Sequence, residues 1–405
     1  MTPAIKCLIL LAIVALLFVT EMIPLAMTAI GASVACYALG LVPENQIFLG
    51  LADSTVVLFG GMFVVGAAMF YTGLAQKIGG GVVRMFGKGE NSLMFGIMII
   101  AALMSAVLSN TGTTACLIPV VMGICANAKI SASRELMPLA FAAGLGGTIT
   151  LIGTPPNILA NVALKAAGMP ELQFGFFEYA WIGIPITIAG IVYMMFIGKY
   201  LLPEDSGTLN LEIDEEILEN ETSTQKQIIC GIIMVGVIGS MATGIVPLEI
   251  AAVVGAVIAV LTGCLTEKQA YNSIDWVTIF LFAGMIPVAT AMNTSGAGKL
   301  IAEATVKMLG GDPSPYMVTA VLFGLAVVLT QFMSNTASKA LLCPVGIALS
   351  AQMGASPKAV LMAILIASSC AFASPVGTPP NTLVLGPGGY KFMDYLKAGT
   401  GLVAV

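Results

Sequence analysis

Two short stretches of the chain could do chemistry inside a hydrophobic environment. One is Ser109-Asn110-Thr111, and the other is Ser334-Asn335-Thr336. Each is followed by a Gly-Thr-Pro-Pro-Asn motif, at 153–157 and at 377–381. Ser, Asn and Thr cap helix starts and offer neutral donors and acceptors. A double proline removes two backbone donors and pushes the preceding residue out of helical conformation. A helix broken in this way leaves N–H groups at one half-helix start and carbonyl oxygens at the other half-helix end. The N–H end attracts anions, and free carbonyls suit Na⁺. A lone Ser-Asn-Thr reads as an ordinary cap and a lone Thr-Pro-Pro as a kink. Both motifs in fixed order, twice in one chain, point instead to one small-anion site flanked by two cation sites.

Composition sets the solvent in which this chemistry would occur. The 405 residues are 58% hydrophobic and only 9% charged, where a soluble domain carries about 25% charged residues. Mean hydropathy is +1.00, and apolar runs of bilayer-spanning length tile most of the chain. We therefore expect an all-α polytopic membrane protein. Residues 7–20 lack a small-residue cleavage site after them and read as a retained helix. The chain has no histidine, so H-E-x-x-H metalloprotease and Ser-His protease chemistry both fail, and no enzyme is expected. The eight cysteines are scattered, without C-x-x-C, and read as small buried hydrophobes. No intramembrane acid pair is available to relay protons, which favours Na⁺ over H⁺. A channel would need a carbonyl filter or a charged ring, and neither pattern is present.

The internal repeat defines the organisation. "LFGGMFVVGAAMFYTGL" at 58–74 resembles "LFAGMIPVATAMNTSGA" at 281–297, and the paired motifs share an offset of about 224 residues. Repeat 1 covers 1–201, with early helices at 1–90 and a hairpin plus broken helix at 91–201. Repeat 2 covers 227–405, divided into 227–312 and 313–405. An acidic linker at 202–226 joins them. In each half, helices at 7–20, 24–42 and 55–73 (or 228–242, 247–264 and 276–293) precede a run centred on the triplet, at 92–127 or 316–352. The two arms of that run are too short to cross comfortably, so each reads as a re-entrant helical hairpin. Helices at 136–152 and 358–376 then run into Gly-Thr-Pro-Pro-Asn. Re-entrant hairpins invert the second repeat relative to the first. The larger group of loop cations, including Lys77, Arg84, Lys129 and Arg134, then falls on one side, which becomes cytoplasmic together with the linker. The smaller group is Lys6, Lys165, Lys299, Lys307 and Lys358. Asp53 and Asp275 read as helix caps, and Glu21 and Glu249 as water-facing residues near helix ends.

The paired motifs, with "TEMIP" at 20–24 and "LFGGM" at 58–62, resemble the divalent anion/sodium symporters, which carry dicarboxylates, citrate and sulfate. The resemblance spans nearly the whole chain. It implies a multi-pass homodimer in a bacterial or archaeal plasma membrane. Its scaffold parts stay still while hairpins and broken helices move as an elevator with a C4-dicarboxylate or citrate and Na⁺. A dicarboxylate exchanger or a sulfate carrier would use the same scaffold. Neither an organic cofactor nor a nucleic-acid partner is implied. Ser109, Asn110, Thr111, Thr154, Pro155, Ser334, Asn335, Thr336, Thr378 and Pro379 would line the substrate site. Of two or more Na⁺ ions, one would lie near Ser105, Ser109, Asn110 and the backbone of Gly153. Another would lie near Thr330, Asn335 and the backbone of Gly377.

The chain departs from that pattern in three places. It opens directly on the first repeat, its last helix comes out short, and Lys339 stands where the first repeat has Thr114. A lysine in the membrane interior costs about 2.5–3.5 kcal/mol on insertion scales and invites a functional role. Lys339 is therefore expected either to serve the substrate site as a counter-charge, or to replace the second sodium. A structural lysine would instead reach a cavity or the outer surface.

Overall fold

The computed structural model describes residues 1–20, 22–86, 89–203, 223–308 and 314–405. Most of the expected acidic linker lies outside these residues, as does Glu21. Among the described residues every regular element is helical. The first half runs α1 (Pro3–Thr20), α2 (Leu25–Ala38), α3 (Ser54–Tyr71), α4 (Leu74–Met85), α5 (Glu90–Ser105), α6 (Asn110–Ala128), α7 (Leu136–Gly146), α8 (Leu159–Ala166) and α9 (Ala180–Phe196). The second half runs α10 (Thr224–Thr243), α11 (Leu248–Leu261), α12 (Glu267–Ser273), α13 (Trp276–Thr294), α14 (Ala297–Met308), α15 (Pro315–Thr330), α16 (Asn335–Gln352), α17 (Pro357–Ala367), α18 (Pro379–Leu385) and α19 (Phe392–Ala404). The helices α1, α6, α10 and α13 and the helical segment Glu44–Tyr71 are long and apolar enough to cross a membrane. α6 is among them despite the re-entrant reading of its hairpin.

Local chemistry accounts for many of the boundaries. Pro24 and Pro247 sit at the starts of α2 and α11, where a missing N–H costs nothing. The Asp275 carboxylate accepts from the N–H groups of Val277 and Thr278, capping α13. Asp53 accepts from Thr55 N–H and also forms an ion pair with Lys165 at 2.7 Å. The helices preceding the double prolines end sooner than the apolar run suggests. α7 stops at Gly146 and α17 at Ala367, well before 152 and 376. Consecutive small and hydroxyl residues cause this, Gly146-Gly147-Thr148 in one case and Ser368-Ser369 in the other. The Thr148 hydroxyl, for instance, bonds back to Leu145 O at 2.6 Å.

The chain packs as two compact units, each drawing on both halves of the sequence. The first comprises Met1–Gly60, Pro155–Gly175 and Asp275–Ser369; the second comprises Gly61–Thr154, Phe176–Ile274 and Cys370–Val405. In the first unit α2 lies against α13 so closely that a Cβ on Gly284 would fall 2.5 Å from the carbonyl carbon of Ala29. Phe59 and Phe282 meet beside this contact with centroids 5.2 Å apart. In the second unit α5, α6, α7, α9, α18 and α19 share an apolar core that includes Leu93, Ile97, Leu117, Phe141 and Tyr395. Phe141 meets Phe372 edge-on, with centroids at 5.3 Å.

Tyr390 clamps the start of α7 in this second unit. Its hydroxyl accepts from Met137 N–H at 2.8 Å and donates to Ser133 O at 2.5 Å. Between those two contacts sits Glu135, wholly buried in the loop that precedes α7. Neither of its carboxylate oxygens finds a hydrogen-bond partner among the described residues. Burial, reinforced by the charge of Glu90 and opposed by Arg134, pushes its pKa up to about 8. The folded state therefore favours the protonated acid. Its contribution is fully present below the ordinary value of 4.5 and is lost as pH rises from there through about 8. The apparent Tm of the detergent-purified protein should therefore fall between pH 5 and pH 9. Glu135→Gln should remove part of that fall, which thermal unfolding across pH measures directly.

Candidate functional site

The second unit holds the first triplet. Ser109 caps α6, its hydroxyl accepting from Gly112 N–H at 3.1 Å. Asn110, the first residue of that helix, is buried, and its side-chain oxygen accepts from the Ser105 hydroxyl at 2.7 Å. Thr111 is exposed. The unwound segment after α7 comes up beside this pair. A Cβ on Gly147 would lie 2.1 Å from the Asn110 side-chain oxygen. A Cβ on Gly153 would lie 2.7 Å from Gly147 O and 3.0 Å from Ser105 O. Only glycine permits both approaches. Side chains also tie down the freed backbone. The Thr150 hydroxyl donates to Ala106 O and accepts from Gly153 N–H, while Leu151 N–H donates to Phe176 O. The outcome is a close set of neutral oxygens from Ser105, Asn110 and Gly147, with Thr154 buried next in sequence to Gly153. Neutral and carbonyl oxygens of this kind suit a hard monovalent cation.

The second triplet lies in the first unit and repeats part of this plan. Ser334 caps α16, accepting from Ala337 N–H at 3.2 Å. The Thr330 hydroxyl lies 2.7 Å from the Asn335 side-chain oxygen, as Ser105 does from Asn110. It also donates to Ser368 O at 2.7 Å, tying the hairpin to the end of α17. Thr336 is half-buried. Lys339 opens the second turn of α16 and is wholly buried, so it does not reach the outer surface. Its ammonium donates to Asn157 Oδ1 at 3.0 Å and to the Ser369 hydroxyl at 2.8 Å.

Gly377, Thr378 and Pro379 belong to the second unit. Thr378 is the extended residue before α18, with Pro379 as the first residue of that helix. Behind them Asn381 donates through Nδ2 to Ala371 O and Ser374 O, both at 2.8 Å. Tyr395 donates to Asn381 O at 2.6 Å. Asn381 and its counterpart Asn157 close the repeated Gly-Thr-Pro-Pro-Asn motif, yet the motif's polar end was absent from the sequence-based site, as were Ser369 and Gly147. The repeat itself marked the two asparagines. No sequence signal marked Ser369, whose role depends on where the Lys339 side chain ends.

Comparisons with known proteins agree in kind. The citrate transporter family profile matches residues 15–342. An uncharacterized transporter of Haemophilus influenzae is 30% identical over 96% of this chain and 87% of its own length. The sodium-dependent high-affinity dicarboxylate transporter 3 of Caenorhabditis elegans is 25% identical over 98% of this chain and 80% of its own. Among solved structures, the YdaH transporter of Alcanivorax borkumensis shares the fold. Its TM-score is 0.60, covering 99% of this chain and 96% of that one at 19% identity.

The tight approach at Gly147 gives a direct test of the first triplet's geometry. Gly147→Ala should lower stability by about 1–3 kcal/mol through overpacking and displace Asn110. Gly31→Ala, inside α2 where the added methyl meets nothing within 4 Å beyond its own helix backbone and chain neighbours, should not lower stability. Thermal unfolding of both variants checks the contrast.

Proposed function

The chain belongs to the citrate transporter family, and from that premise we propose that it carries a small divalent anion, a C4-dicarboxylate or citrate, in symport with Na⁺. It is a multi-pass membrane transporter and not an enzyme; its substrate, its coupling ion and the way it moves are our reading. The observation that supports this reading most is the pair of helices that begin at serine-capped Ser-Asn-Thr triplets, the first of them beside the unwound segment that runs from Gly147 to Gly153.

In this reading the hydroxyls and N–H groups of Ser109–Thr111 and Ser334–Thr336, together with Thr154 and Thr378, bind the carboxylates. Two half-helix starts supply partial positive charge without placing a mobile side chain in the path. Pro155 and Pro379 bring no N–H of their own to the positions after the threonines. The oxygens of Ser105, Asn110, Ser109 and the Gly153 segment hold Na⁺ as a co-transported substrate. Thr330, Asn335 and Gly377 occupy the corresponding positions in the second copy. Sodium would neutralise part of the anion's charge and draw the hairpin tip against the unwound segment. Binding of either solute thereby raises affinity for the other. Alternating access would follow the elevator pattern, with the hairpins and broken helices moving as one body in each protomer of a homodimer.

Uptake of radiolabelled succinate, citrate and sulfate into proteoliposomes, with and without an inward Na⁺ gradient, tests the proposal. Saturable, Na⁺-stimulated uptake of succinate or citrate is expected. Asn110→Ala should reduce it at least about tenfold, the loss that follows when one ligand worth about 1.4 kcal/mol is removed. Uptake that ignores Na⁺ but requires internal dicarboxylate would identify an exchanger and overturn the symport assignment.

A further inference from the structure

The two triplet regions are close copies in sequence but differ in charge. In the first unit the Asn157 side-chain oxygen receives the ammonium of Lys339. That ammonium also reaches Ser369, the residue after Ser368, whose carbonyl accepts from Thr330. Ser368 itself touches the helix of Lys339 through a 3.1 Å hydroxyl contact with Ser338. The positive charge is therefore anchored on the same short segment that anchors Thr330 and Asn335.

The equivalent positions in the second unit are left short of partners. Thr114, the counterpart of Lys339, spends its hydroxyl on its own helix, donating to Asn110 O at 2.9 Å. Asn381, the counterpart of Asn157, is wholly buried, and its side-chain oxygen finds no hydrogen-bond partner among the described residues. Its orientation is fixed, because the amide nitrogen serves two carbonyls and a flip would set oxygen against oxygen. Thr113, the counterpart of Ser338, is likewise buried with an unpartnered hydroxyl.

We propose that Lys339 is a built-in cation that takes the place of one sodium ion, so that the protein moves each dianion with a single Na⁺, held in the second unit by the Ser105–Asn110–Gly147 oxygens. This rests on the symport reading above and narrows it from two or more ions to one. A lysine ammonium and a bare sodium carry the same charge and both seek neutral oxygens, but only the ion can dissociate. The lysine travels with the chain in both directions, so its charge cancels over a full cycle. Net charge moved per cycle is then that of the sodium ions less that of the dianion. One Na⁺ with succinate carries one net negative charge inward, and two would carry none.

The test is Na⁺-driven succinate uptake by the full-length protein in proteoliposomes clamped at set potentials with K⁺ and valinomycin. For the wild type, uptake should rise hyperbolically with Na⁺ and run faster at inside-positive potential. Reversal measurements should give one Na⁺ per succinate. Lys339→Thr, which restores the residue of the first repeat, should make the Na⁺ dependence sigmoidal and uptake insensitive to voltage. Its half-saturating Na⁺ should rise about 5- to 150-fold, the span of a typical coupling between sites. Thr114→Lys should weaken Na⁺ stimulation by placing a second fixed cation against the Asn381 oxygen, in the unit that holds the ion. Wild-type uptake with two or more Na⁺ per succinate would overturn the inference while leaving the symport reading intact, and it does not depend on either variant folding. Loss of all Na⁺-stimulated uptake in the wild type would overturn both.

Discussion

Two helices that stop partway leave carbonyls and N–H groups with no water to receive them, and everything distinctive about this chain answers that constraint. An unsatisfied backbone group in hydrocarbon costs several kcal/mol. Here hydroxyls and amides make up the difference: Thr150 on Ala106 O, Thr330 on Ser368 O, Asn381 on the carbonyls of Ala371 and Ser374. These contacts hold the hairpin tips against the unwound segments. The tips in turn determine which groups stay open to a ligand. Polar residues in the interior are thus the structural price of exposing a few backbone dipoles.

Much of this was legible from residue types alone. Proline starts at 24 and 247, serine caps at 109 and 334, and the arms of both hairpins lie within a few residues of the positions the sequence implies. These features depend on neighbours along the chain, which is why composition and spacing reveal them. Other features depend on distant partners and could not be read. The early stops at Gly146 and Ala367 reflect small and hydroxyl residues within apolar runs whose hydropathy suggests continuing helix. Tyr390 closing on Met137 and Ser133 joins residues far apart in sequence. Glu135 looks like any loop acid until the packing around it removes it from water.

The same division separates the two triplets. Sequence comparison of the repeats shows Lys339 opposite Thr114, but only the structure shows the ammonium on Asn157 and Ser369 and the matching Asn381 oxygen without a hydrogen-bond partner among the described residues. A duplicated carrier in which both halves were chemically equal would bind its cations in equal places. In the proposal above, one half has exchanged a dissociable charge for a covalent one.

A structure of the protein in a lipid nanodisc with saturating Na⁺ and succinate would test this account most directly. The account predicts succinate against the N–H groups and hydroxyls of Ser109–Thr111 and Ser334–Thr336. It also predicts one Na⁺ among the Ser105, Asn110 and Gly147 oxygens, with the Lys339 ammonium still on Asn157 and Ser369. A dianion bound away from both triplets, or a second Na⁺ at Thr330 and Asn335 beside an unmoved Lys339, would contradict it.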